Sequence, residues 1–223
     1  MRDLIRYQLG LLLRSQRWLP PVLLFAMLIV AGQFGGQQYG DSLGWCAGML
    51  VPCTGWLTRT VLTGEPGAAR ACVAAASGPR RAQLAALCAA LACGAVLAVV
   101  AGVFEWTLSS PPLGVPNPPL AAIARDGGTA VLIGLLAGTA LGALCAPPLL
   151  NRPATAVLSL AAASLVLLVA PGSPVNSAIR DAFTSDSADA ATRFPALPLV
   201  GAVVLLAVAW AVAVRAAERG LPD

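Results

Sequence analysis

The feature that most constrains this chain is its run of apolar blocks, each about 17 to 25 residues long and nearly uncharged, separated by short segments rich in Gly, Pro and Arg. A helix of roughly 20 apolar residues matches the hydrocarbon thickness of a bilayer. Only 11% of the residues are charged, against about 25% in a soluble domain. Lipid is therefore the expected solvent. Because lipid offers the backbone no hydrogen-bond partner, each block must close its own bonds as a helix. The expectation is an all-α integral membrane protein forming one transmembrane domain over residues 1–223.

Six crossings are expected, at about 18–34, 42–61, 84–108, 129–150, 154–170 and 196–214. Residues 1–17 are apolar at Leu4, Ile5, Leu9, Leu12 and Leu13, while Arg2, Arg6, Arg14 and Arg17 share an arc of roughly 120°. That pattern predicts an amphipathic helix lying in the membrane interface, its apolar face in lipid. A cleaved signal peptide is the rival, but it needs a short charged region and a small-residue cleavage site after Val30 that is not evident. Pro20 and Pro21 suit the first turn of the helix that follows. Pro52 interrupts the second block and frees a carbonyl.

Between the second and third blocks, Thr63 to Gln83 is predicted as a loop holding one short helix, Ala68 to Ala76. Glu65 and Pro66 start that helix, and Ser77, Gly78 and Pro79 end it. Pro171 to Pro195 contains Val175, Ile179 and Phe183 at near-helical spacing, which predicts a short re-entrant or interfacial helix before the sixth block. The fifth block, between Pro153 and Pro171, is at the lower limit for a crossing. It is expected to stop short of the far surface.

Orientation follows from the arginines. With both termini inside, eleven lie on cytoplasmic segments, and only Arg125, Arg180 and Arg193 lie outside. Asp41, Asp126, Asp181, Asp186 and Asp189 fall outside as well. The expected location is the cytoplasmic (plasma) membrane.

The chain has neither Lys nor His. A phosphate-binding loop ending in Gly-Lys-Ser/Thr is therefore excluded, as are histidine metal sites and His-dependent triads. The six cysteines show no C-x-x-C pair and read as small apolar filler. No metal site or catalytic residue is predicted. Ionisable residues inside the bilayer are the default functional candidates, and only Arg59 and Glu105 come close. Arg59 can snorkel to the headgroups. Glu105 has three readings: capping a cavity, pairing with Arg125, or reaching water. Gly134, Gly138 and Gly142 form a doubled small-xxx-small pattern, for contact within the chain or between subunits.

The order of parts resembles the transmembrane permease subunit of type-2 ATP-binding-cassette (ABC) exporters. The residues carrying the resemblance are Gly64 to Leu91, GEPGAARACVAAASGPRRAQLAALCAAL, and Pro171 to Phe183, PGSPVNSAIRDAF. The resemblance implies a helix after the second span that couples to a separate ATPase subunit, which would hold ATP and magnesium. Carried onto this chain, Glu65, Arg70, Arg80 and Arg81 become candidates for ATPase docking, with Arg2, Arg6 and Arg14 beside them. The small residues of AARACVAAA depart from the bulkier docking helix of such permeases. The resemblance further implies two permease copies, as a homodimer or a heterodimer with a sister permease. A hydrophobic or amphiphilic cargo would pass between apolar, small-residue walls from the second and fifth spans. A non-transporting membrane scaffold or immunity protein that anchors a partner is the alternative of a different class.

Overall fold

The computed structural model describes residues 1–33, 37–112, 119–185 and 195–219. Among them the fold is all-helical: α1 Arg2–Ser15, α2 Leu19–Gly32, α3 Tyr39–Thr63, α4 Gly67–Ser77, α5 Pro79–Leu108, α6 Leu120–Leu144, α7 Pro153–Val169, α8 Pro174–Thr184 and α9 Ala196–Glu218. The helices α5, α6 and α9 are long and apolar enough to cross a membrane alone. Two bent pairs, α1 with α2 and α7 with α8, qualify when each is taken as one broken crossing, giving three to five by length and composition. Despite its 25 residues, α3 does not qualify. Ser42, Thr54, Thr58 and Thr60 dilute its apolar content, and all four are buried in protein.

That burial explains the arrangement. Seventeen of the residues of α3 are buried, and its contact with α6 is the most extensive in the bundle. Gly134 faces Ala47, Gly138 faces Val51 and Thr54, and Gly142 faces Gly55 and Thr58, so the two helices run parallel. A Cβ at Gly138 would come within 2.6 Å of the Val51 carbonyl oxygen, and one at Gly55 within 3.2 Å of the Gly138 carbonyl oxygen. The glycine pattern is thus used for contact within the chain, where backbone approaches backbone. Thr54 and Thr139 donate their hydroxyls to the carbonyls of Leu50 and Leu135 in their own helices. Thr58 Oγ1, on the same seam against Gly142, has no hydrogen-bond partner among the described residues.

The other helices sheathe this pair. Trp45 Nε1 donates to the Leu28 carbonyl at 2.9 Å and seats α2 on α3. On α5, Gly94 lies against Leu135 and Thr54. Leu160 and Leu168 of α7 meet Gly55 and Gly48, so α7 runs opposite to α3. It ends beside Gly48, short of the level of Tyr39, and α8 continues at a 48° bend with Ile179 and Phe183 against Gly48 and Gly44. Ser173 and Asn176 donate to the freed carbonyls of Leu167 and Leu168, which closes the break. Ser173 Oγ also accepts from the Asn176 N–H, as an N-cap does.

Several boundaries differ from expectation. The third block begins at Pro79 rather than Leu84, because Pro79 suits a first helical turn, so Arg80 and Arg81 stand on α5 and not in a loop. The fourth spans Leu120–Leu144 rather than 129–150. Arg125 and Asp126 therefore lie on the helix, which stops before Pro147 and Pro148. The sixth runs on to Glu218. The short loop helix is Gly67–Ser77, within one residue of the expected ends. Asp186, Asp189 and Arg193 lie outside the described residues.

The first helix departs most. A 77° bend at Gln16, whose φ is 52°, turns α1 into α2. Part of its apolar face packs on the bundle: Leu12 is buried, and Ile5 and Leu9 pack on the cluster around Leu57, Val61 and Leu87 of α3 and α5, while Leu13 is exposed. Ala213 and Val214 of α9 join that cluster, so α1 and the carboxyl-terminal end of α9 share one end of the bundle. This is the basic end; the opposite one is the far end.

Gly138→Ala is expected to overpack the seam and lower stability by about 1–3 kcal/mol. Gly102→Ala, whose Cβ would enter open space, is expected to cost nothing. Unfolding midpoints in mild detergent measure both.

Candidate functional site

At the basic end, the elements around α4 are tied together by side chains rather than by a core. Gln8 of α1 donates from Nε2 to Glu65 Oε2 at 3.0 Å. Burial, and then the charge of Glu65 beside it, push the Tyr7 phenol above its ordinary range. Arg70 donates to the Leu62 carbonyl in the last turn of α3. In the same way, Arg59 Nε donates to the Cys145 carbonyl at the end of α6, at 3.2 Å. It caps a helix instead of reaching for headgroups. Cations at helix carboxyl ends satisfy orphan carbonyls and complement the helix dipole.

This separates the predicted docking residues into two groups. Glu65 and Arg70 are engaged within the chain and fix α4 against α1 and α3. Arg80, Arg81, Arg2, Arg6 and Arg14 are exposed, and none makes an ion pair among the described residues. The helix α4 itself has no buried residue. Beneath it lies a cleft of about 200 Å³ lined by Glu65, Arg70, Gln83, Pro147 and Pro148, among others.

Along its length α3 has one stripe that is not fully buried, at Asp41, Trp45, Met49, Pro52, Trp56, Arg59 and Thr63. Steps of three and four place these on one helix face. Within α3 only Trp56 is exposed. The helix runs unbroken through Pro52, which stands on this stripe. On this face α3 carries Trp45, Met49 and Trp56, while α7 exposes Val157, Leu158 and Leu165.

At the far end, Glu105 of α5 is fully buried. It does not pair with Arg125, whose Nε lies 2.7 Å from Asp126 Oδ1, and it does not reach water. Gln33 donates to Glu105 Oε2. Tyr39 stacks on Trp106 at 4.3 Å between ring centres, closing the α3–α5 side of this corner.

Reasoning from sequence missed Gln8, Gln33 and Trp56. The signal for Gln8 was present, since it interrupts the apolar face of α1 between Ile5 and Leu12. Gln33 carried none, because only the fold brings it to Glu105. Among the described residues no group of His, Cys, Asp or Glu is placed to hold a metal ion. Compared with family models, with curated proteins and with solved structures, the chain finds no match.

Gln8→Ala removes a donor to Glu65 Oε2 and is expected to cost about 1 kcal/mol. The visible effect is local: amide hydrogen exchange in α1 and α4 rises while that of α3 and α6 stays slow.

Proposed function

We propose that this chain is the permease half of an ABC exporter of type-2 architecture, crossing the cytoplasmic membrane six times with its basic end in the cytoplasm. The observation that carries the reading is α4. An 11-residue helix is marginal alone in water, and this one buries no residue, yet it is fixed in place at the basic end. Such a helix is pre-set for a surface that this chain does not contain. A partner ATPase, holding ATP and magnesium, supplies that surface and the energy.

Two further features support the reading. The helices α2, α3, α5, α6, α7 with α8, and α9 alternate in direction, which allows six crossings with both ends on one side. The partly covered stripe of α3, exposed at Trp56, suits a seam with a second permease copy, identical or sister. Cargo moving along that seam would meet Met49, Trp56 and aliphatic side chains, which fits a hydrophobic or amphiphilic drug, lipid or peptide.

Tagged protein isolated in mild detergent is expected to bring down an ATPase subunit. Arg80→Glu with Arg81→Glu is expected to release it while leaving the unfolding midpoint unchanged, because both side chains are exposed. Glu65→Ala is expected to lower the midpoint as well, since it undoes a contact inside the chain. Recovery of the protein without any ATPase would refute the reading.

A further inference from the structure

We propose that Glu105 is a proton-binding site, its carboxyl group held as the neutral acid in the folded bundle and released to ionise when the far ends of α2, α3 and α5 part. The inference does not rest on the permease reading.

Glu105 has no exposed surface, and its Oε1 has no hydrogen-bond partner among the described residues. Its other oxygen accepts from Gln33, at the end of α2. Gln37 Oε1 is a second buried acceptor without a donor. The corner that holds both is tightly joined. The Ser110 N–H donates to the Gln37 carbonyl at 3.2 Å, and the Ser109 N–H donates to the Glu105 carbonyl at 3.0 Å. The Ser109 hydroxyl lies 2.6 Å from the Glu105 carbonyl oxygen and 2.5 Å from the Ser42 hydroxyl. Among the described residues, the groups named here are neutral and bonded, except two acceptors that both lack a hydrogen.

Among the described residues no cation answers that lack: the chain has no Lys or His, Arg125 is committed to Asp126, and Arg180 is exposed on α8. The titratable neighbour on α3 is Cys46. Tyr39 faces Trp106, Asp41 stands in the first turn of α3, and α2 carries no titratable group. The charged residues of α1, α4 and α9 lie toward the basic end. An ionised carboxylate with a bare oxygen in an apolar interior is far costlier than the neutral acid. Neither bare oxygen is open even to water, so a proton is the ligand that fits. Protonation turns an unpartnered carboxylate acceptor into a hydroxyl donor. The balance is simple: carboxylate plus proton gives carboxylic acid, with no oxidant, reductant or leaving group.

The site is a single latch rather than a relay. Asp126, the other buried acid, is already paired. Any motion that separates α2 from α5 removes Gln33 and wets Glu105.

Infrared spectroscopy of the full-length protein in lipid vesicles at neutral pH tests this directly. The wild type is expected to show the carbonyl stretch of a protonated carboxyl group, and Glu105→Gln to lack it. Because the side-chain amide of Gln keeps a donor in place, this variant is expected to unfold at the wild-type midpoint. Should it fail to fold, wild-type protein grown on carbon-13 glutamate answers instead, because the band must then shift. A proton held by the fold contributes stability at low pH that is lost as pH rises, so the wild-type midpoint is expected to fall toward alkaline pH. Absence of the protonated-carboxyl band from the wild type, or its survival in Glu105→Gln, would overturn the proposal.

Discussion

The close approach of α3 and α6 is the constraint on which the rest of the bundle depends. Between helices in lipid, apolar contact gives little net drive, since lipid tails are as apolar as Leu. What remains is the closeness of packing. Gly134, Gly138 and Gly142 let the backbone of α6 lie directly on Ala47, Val51 and Gly55 of α3. A helix so enclosed is free to carry Ser, Thr and Gly that lipid would penalise. This is why α3, the least apolar of the long helices, sits at the centre, and α9, far less buried, sits outside.

Enclosing α3 has two consequences at its ends. Short partners complete the sheath: α2 of 14 residues and α7 of 17, each joined to a second helix through a sharp bend. Polar side chains then finish the helix ends. Arg70 and Arg59 cap α3 and α6 at the basic end, and Ser173 and Asn176 close the break between α7 and α8. The same end collects α1, the unburied α4 and the free arginines. One stripe of α3, exposed at Trp56, remains only partly covered among the described residues.

How much of this was legible depended on whether a feature is local. The number of apolar blocks, the ends of α4 and the shortfall of α7 follow from Pro, Gly and run length, which act within a few residues. The use of the α6 glycines was legible as a pattern, but its partner face on α3 was not, since Ala47, Val51 and Gly55 carry no matching motif. Glu65 and Arg70 looked like free docking charges because sequence does not reveal that Gln8 and the Leu62 carbonyl will claim them. Apolar periodicity placed the face of α1 correctly yet could not tell lipid from the cluster around Leu57 and Leu87, which are equally apolar. Glu105 stood out by charge alone; its hydrogen-bond partner Gln33 lies 72 residues away in the chain.

The described residues leave α3 most exposed at Trp56, and the permease reading proposed above puts a second copy against it. Oxidative cross-linking at Trp56→Cys in native membranes tests it most directly, in a background where the exposed Cys72 is replaced by Ser. A covalent dimer formed at position 56, with none at Val208→Cys on the outer face of α9, is the result expected. Cross-linking that is absent at 56, or equal at the two positions, would contradict the account.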